Sequence, residues 1–266
     1  MEPVPVEFMS QGAFIRGSFF TAIGKTPAAT LLHIPGWPGE PDDGFLDLCA
    51  MLAEQRINVC MFNPRGLQQS EGIQTFANTL QDIGAGLRWL RQADVQKQFG
   101  IDLTKLILAG HSYGGGMAMA YAARDSSIRR LISIAGNDHG EVIREWQRNS
   151  VFAEGMRGYL LSTHTPKGLA RFDLDANFQE LVDHQDIYGL RENAANLADR
   201  SILLIGGWED RVVTIDQFLL PFYRALKSAG ATNVTFLVYH TDHDFSNTHQ
   251  RLASDITEWI LRERSD

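Results

Sequence analysis

The sequence predicts a doubly wound, mostly parallel α/β sheet carrying a helical insertion, on three observations. Short apolar runs alternate with segments of helical period along most of the 266 residues, the pattern of strands buried between two helical layers. One run, 106–109, leads straight into Gly110-His111-Ser112-Tyr113-Gly114 and then into helix-forming residues from Met117 onward. The alternation fails once, over 138–199, a stretch too long for an ordinary connection between strands.

Taken in order, 4–8 and 13–20 are extended segments split by Ser10-Gln11-Gly12, as in a β-hairpin. Residues 28–34 form an apolar strand that ends at Pro35-Gly36-Trp37-Pro38-Gly39, which continues neither strand nor helix. Phe45, Leu48, Cys49 and Leu52 recur at helical spacing. A strand over 57–62 precedes the loop Asn63-Pro64-Arg65-Gly66. Leu80, Ile83, Leu87 and Leu90 mark an amphipathic helix. After the Ser112 strand and its helix come strands over 128–135 and 202–207. A helix then runs to Ala229 with Gly230 as its stop, its start shifted or kinked by Pro221. A last strand, 234–239, is followed by a helix marked by Leu252, Ile256, Trp259 and Ile260. This divides the chain into a core, 1–137 and 200–266, and an insertion, 138–199, whose aromatics suit a lid over a pocket. Trp146, Phe152, Met156 and Tyr159 are its candidate substrate-binding residues.

The net charge of −8, without a basic block, argues against nucleic acid as a partner. Cys49 and Cys60, both in apolar segments, read as buried thiols of a reducing compartment. No basic and apolar leader opens the sequence, and no run of about 18 apolar residues occurs. The expectation is a cytoplasmic protein without a membrane span.

In a doubly wound sheet, ligands bind at the carboxyl ends of the strands, and the chemically notable residues fall there. Ser112 sits in G-x-S-x-G, where a sharp strand-to-helix turn presents the hydroxyl and glycines two positions away avoid collision. A serine needs a base, and the base an orienting carboxylate. After 202–207 comes Trp208-Glu209-Asp210-Arg211; after 234–239 comes His240-Thr241-Asp242-His243-Asp244. The order fits a catalytic set of Ser112, Asp210 and His243, with Glu209 competing for the acid and His240 and His249 for the base. An oxyanion hole takes two backbone N–H groups. Tyr113, next to the nucleophile, and Trp37 are the candidates, with Gly39 as the runner-up to Trp37. His33 reads as a hydrogen-bonded structural histidine, His111 as a supporting one, and His240, at a strand end, as another structural candidate. His139, His164 and His184 lack metal-ligand spacing, so no metal and no cofactor are expected.

Five pieces carry a resemblance: P-G-W-P-G at 35–39, N-P-R-G at 63–66 with Ser70-Glu71-Gly72, G-H-S-Y-G-G at 110–115, G-G-W-E-D at 206–210, and D-H-D-F-S at 242–246. Over nearly its whole length the chain resembles the α/β-hydrolase superfamily. Within it, the chain is similar to uncharacterised small esterase-like hydrolases related to prolyl oligopeptidase-type catalytic domains. The resemblance implies the α/β-hydrolase fold, a Ser112, Asp210, His243 triad and an oxyanion hole from Trp37 and Tyr113. Two departures stand out. Pro35-Gly36 replaces the His-Gly frequent in the family, and no propeller precedes the domain, which weighs against an oligopeptidase.

The expected activity is serine hydrolysis of a carboxylic ester through an acyl-enzyme on Ser112, acting on a small-molecule ester or amide. An aminopeptidase or amidase is the enzymatic alternative, with Glu141, Glu145 or Glu154 to hold a substrate amino group. A binding protein on a hydrolase fold is the non-enzymatic one. A haloalkane dehalogenase is disfavoured, since that chemistry uses Asp where Ser112 stands.

Overall fold

A computed structural model describes residues 2–24, 26–166 and 168–262. Among these residues, eight strands form one sheet in the order β1-β2-β4-β3-β5-β6-β7-β8. β1 (Val4–Ser10) and β2 (Ala13–Phe20) form the expected hairpin, and β2 runs antiparallel to β4 (Asn58–Phe62). From there β3 (Ala28–Ile34), β5 (Ile101–His111), β6 (Arg130–Ile134), β7 (Ser201–Gly207) and β8 (Val234–Tyr239) are all parallel. The neighbouring pairs β3/β4 and β3/β5 place the reversal of strand order at β3, so the carboxyl ends of β3 and β5 border a crevice.

Successive side chains on a strand point to opposite faces, and the parallel strands use both. Leu32, Leu108, Leu131 and Leu204 enter one core, while Leu31, Ile107, Ile132 and Ile205 enter the other. The first core is closed by α2 (Phe76–Leu90), α3 (Ala93–Phe99) and α4 (Ser112–Ala122), the second by α1 (Leu46–Glu54) and α11 (His249–Leu261). Thr75 starts α2 by accepting the Asn78 N–H on its hydroxyl at 3.0 Å. The short helix α3, which the periodicity of the sequence did not mark, ends on Gly100 at φ +61°.

Among the described residues, five helices lie between β6 and β7: α5 (His139–Arg148), α6 (Ser150–Thr163), α7 (Leu174–Asp183), α8 (Gln185–Tyr188) and α9 (Ala194–Leu197). Asp138, Asn149 and Asp173 cap the first three of these through side-chain oxygens. These helices pack on one another, as Trp146 on Phe178, and also on the rest of the chain. Ile143, Leu181, Tyr188 and Leu197 join the first core, whereas α6 contains no buried residue. Beyond β7, a π-helical turn (Ile215–Leu219) leads into α10 (Leu220–Ser228). Pro221 lies in the opening turn of α10, directly after the π-helical turn, so it stands where the helix type changes.

Candidate active site

β5 delivers Ser112 at its carboxyl end, on a turn that only small flanking residues allow. Ser112 adopts φ +49°, left-handed backbone that L side chains rarely take. A Cβ on Gly110 would stand 2.4 Å from the Gly114 carbonyl, and one on Gly114 would stand 2.1 Å from the Ile34 oxygen. The two glycines therefore let β5, β3 and α4 approach closely enough to hold the serine in that conformation.

The loops after β7 and β8 bring the partners. His243 Nε2 lies 2.9 Å from Ser112 Oγ, and its Nδ1 lies 2.7 Å from Asp210 Oδ2. The other carboxylate oxygen of Asp210 accepts the N–H groups of Val212 at 2.7 Å and Val213 at 2.8 Å. Both oxygens are thus fixed, and the acid cannot swing away from the imidazole. The side chain of Asp210 is fully buried and that of His243 16 % exposed. Glu209 points elsewhere, with its carboxylate 3.6 Å from Nδ1 of His240. The His240 ring is 87 % exposed, so it is not the structural histidine its strand-end position suggested. His249, half-buried, meets the Asp244 carbonyl at 3.0 Å and the Phe45 ring, away from Ser112.

Among the backbone donors, the Gly39 N–H is engaged with the Gly36 carbonyl at 2.8 Å. The amides of Trp37 and Tyr113 have no hydrogen-bond partner among the described residues. The Tyr113 ring is pinned from behind: its hydroxyl meets Gln74 Nε2 at 2.8 Å and Thr79 Oγ1 at 2.7 Å, and burial pushes its pKa well up. Trp37 packs edge-on against Tyr113 and Phe172. Its indole N–H donates to Thr163 Oγ1 at 2.8 Å, and its carbonyl accepts from the Tyr159 hydroxyl at 3.2 Å.

Ser112 and His243 open onto a cavity of about 680 Å³ with a largely apolar wall, within the range of small-ligand sites. Phe152, Met156 and Tyr159 of α6 line it. Trp146 does not. It stacks on Phe178 at 3.7 Å, and Phe178, one helix away, supplies the wall. α5 presents His139 and Val142, from its first turns, to the cavity, whereas Trp146 further along faces α7. The acids considered for a substrate amino group are engaged or distant. Glu141 pairs with Arg144, Arg148 and Arg191, and Glu145 with Arg148; Glu154 does not line the cavity.

The site also contains buried polar residues to which the sequence assigned no catalytic role. His139 lines the cavity, held through Nε2 to the Tyr113 carbonyl at 3.2 Å, and burial lowers its pKa to about 4, so it is neutral. Asn177 donates to Gln74 Oε1 at 2.6 Å, extending the support of Tyr113. Asp43 and Glu40 are buried in the loop after β3. Burial and the Asp43 charge raise the Glu40 pKa to about 7, although its carboxylate accepts the Phe45 and Gly44 N–H groups. His33 departs from expectation: its Nε2 is buried without a partner among the described residues, and burial lowers its pKa to about 4. None of these carries a sequence signal, because each is a lone polar residue whose neighbours arrive from distant loops.

A parallel sheet reversing at β3, with a serine on a strained turn at the end of its central strand, defines a class of proteins. The chain belongs to the alpha/beta hydrolase fold family, whose model matches residues 29–264. It is 30% identical over 222 residues to an uncharacterized protein, YfhR, of Salmonella typhi, spanning 79% of this chain and 67% of that one. In structure it is similar to an esterase of Pyrococcus furiosus, with a TM-score of 0.69 at 16% identity over 98% of this chain and 91% of that one. It is also similar to an acylaminoacyl peptidase of Pyrococcus horikoshii, with a TM-score of 0.69 at 19% identity over 98% of this chain and 41% of that one. Among the described residues no helix is long and apolar enough to cross a membrane.

Proposed function

We propose that the protein is a serine hydrolase that cleaves carboxylic esters with an apolar acyl group. The observation that carries this reading is the line Asp210–His243–Ser112, at 2.7 and 2.9 Å, ending on an apolar cavity. His243, with its Nδ1 proton donated to Asp210, offers the Nε2 lone pair to the Ser112 hydroxyl. Ser112 attacks the acyl carbon, and His243 takes its proton and returns it to the leaving alkoxide. The tetrahedral oxyanion is held by the N–H groups of Tyr113 and Trp37. Water, activated by the same imidazole, then releases the acid from Ser112.

The acyl chain lies between Phe76, Phe178 and α6, where burial of each methylene contributes about 0.8 kcal/mol. Residues 138–199 act as the lid on a core formed by 1–137 and 200–266, with α6 as its movable part. An ester is favoured over a peptide because Glu141 and Glu145 are held by arginines and none of the proposed amine-binding acids lines the cavity.

The test is a panel of acyl esters of increasing chain length beside aminoacyl arylamides, with fluorophosphonate labelling of the wild type and Ser112→Ala. The expected result is ester turnover that rises with chain length and then falls, with labelling lost in the variant. Faster turnover of the arylamides, or labelling that persists without Ser112, overturns the reading.

A further inference from the structure

Beside the Ser112–His243 line lies a second buried histidine–carboxylate pair. His111, the last residue of β5, has its Nδ1 2.8 Å from Asp43 Oδ1 and its Nε2 3.0 Å from the backbone carbonyl oxygen of His243. Both its ring nitrogens therefore face acceptors. A neutral imidazole has one N–H and one lone pair. Either tautomer would aim a lone pair at an oxygen, at the carboxylate in one case and at the carbonyl in the other. Only the doubly protonated ring satisfies both contacts. The Phe45 ring stacks on His111 at 4.0 Å between centroids, a placement that favours a cation.

Resting on the reading of His243 as the base, we propose that His111 is a buried imidazolium, neutralised by Asp43, that positions His243 by holding its backbone carbonyl. The pair reaches a third component. Asp43 Oδ1 occupies the space a Cβ on Gly36 would fill, 2.1 Å from that point, and Gly36 immediately precedes Trp37. One buried ion pair thus joins the strand of the nucleophile, the loop of the base and the loop of the proposed oxyanion amide. His111 and Asp43 are positioning residues; Ser112 and His243 do the chemistry.

The charged groups around the ring agree with this. Glu40 and Asp43 face it from the loop after β3, His33 from β3, and His243 and Asp244 from the loop after β8; His249 of α11 meets the far side of Phe45. Burial opposes the charge on His111, but Asp43, the His243 carbonyl and Asp244 outweigh it and raise its pKa. His33, deeply buried, is neutral at the same pH.

An ordinary serine triad gains activity as its base deprotonates and then stays level. Here, loss of the His111 proton at higher pH turns one of its two contacts repulsive and loosens His243. The wild type is therefore expected to show an alkaline fall in kcat. In His111→Gln, which cannot titrate, the alkaline fall disappears and the plateau drops by about 10²-fold with KM nearly unchanged, as expected of a misplaced base. In Asp43→Asn the counter-charge is gone, the imidazolium is less favoured, and the fall moves to lower pH.

The experiment is kcat and KM against pH on a small activated ester for the three proteins, with circular dichroism to confirm folding. Nitrogen-15 NMR of histidine-labelled wild type, assigned with His111→Gln or through backbone correlations, reads the ring directly. Two protonated nitrogens on His111 at neutral pH support the proposal, and one protonated nitrogen overturns it. An alkaline fall that persists unmoved in His111→Gln or Asp43→Asn also overturns it. If His111→Gln does not fold, Asp43→Asn and the wild-type spectrum still decide. Failure of the serine hydrolase reading shows separately, as absence of fluorophosphonate labelling at Ser112 in the wild type.

Discussion

At residue 210 the sequence offers two adjacent acids, and geometry separates them. Asp210 is buried with both oxygens engaged, one by His243 and one by the Val212 and Val213 amides, whereas Glu209 lies beside an exposed His240. Removing a carboxylate that orients a triad histidine lowers kcat by roughly 10⁴-fold. Asp210→Asn is expected to show that loss and Glu209→Gln to stay within a few-fold of wild type, measured as kcat on one ester; the reverse ranking makes Glu209 the acid. Ser112, Asp210 and His243 were legible because each falls just after a strand, in the order the fold needs. Asp43 was not. It reads as one more turn residue in Pro-Asp-Asp-Gly, and its burial against His111 depends on a contact 68 positions away.

At the scale of elements, the loop Asn63-Pro64-Arg65-Gly66 shows what holds the site's surroundings. Arg65 Nη2 lies 2.6 Å from Asp82 Oδ1, and the Arg65 N–H donates to Asp82 Oδ2 at 2.8 Å, tying the end of β4 to α2. Burial raises the Asp82 pKa even with the arginine beside it, so the carboxylate depends on that partner. Removing one member of a buried pair leaves a buried charge and costs about 3–5 kcal/mol. Arg65→Ala is expected to lower the unfolding free energy by that amount in denaturant titration. Arg262→Ala, at the exposed Arg262–Glu258 pair, should change it by less than about 1 kcal/mol. Strand positions were readable from their apolar runs, since both faces of a parallel sheet are buried. The short helix α3 and the division of labour between α5 and α6 were not, because short helices carry too few periods and the direction of an amphipathic face is set by tertiary partners. Trp146 is the case in point: its aromatic character was visible, its stacking on Phe178 was not.

For the whole molecule, the acid cluster at the end of β3 links stability to pH. The Glu40 pKa is raised from 4.5 to about 7 in the folded state. Between those values the folded protein holds a proton that the unfolded chain has released, so stability from this group is present below the lower value and declines as pH rises through the upper one. The size is on the order of 3 kcal/mol. Denaturant unfolding of wild type and Glu40→Gln from acid to mildly alkaline pH isolates the effect: the variant is expected to lose most of the decline, and an unchanged slope assigns it to other groups. The proposed nucleophile thus sits beside a loop held with an acid that prefers to stay protonated.

Trp37 has a consequence for how fast a substrate gets in. Among the described residues, its indole N–H and its carbonyl are the two points at which α6 is hydrogen-bonded to the loop after β3, through Thr163 and Tyr159. Lifting α6 breaks both, at about 1 kcal/mol net for each, and also exposes Phe152, Met156 and Leu160, so the closed arrangement outweighs an open one by at least roughly thirtyfold. A ligand that enters only the open arrangement then meets at most a few per cent of the molecules at any instant, and its apparent affinity is reduced by that fraction. Under the proposed hydrolase reading, the same lift also frees the residue assigned the second oxyanion amide, so admission and charge stabilisation alternate in time, and turnover of bulky esters is expected to be limited by how often the helix swings back.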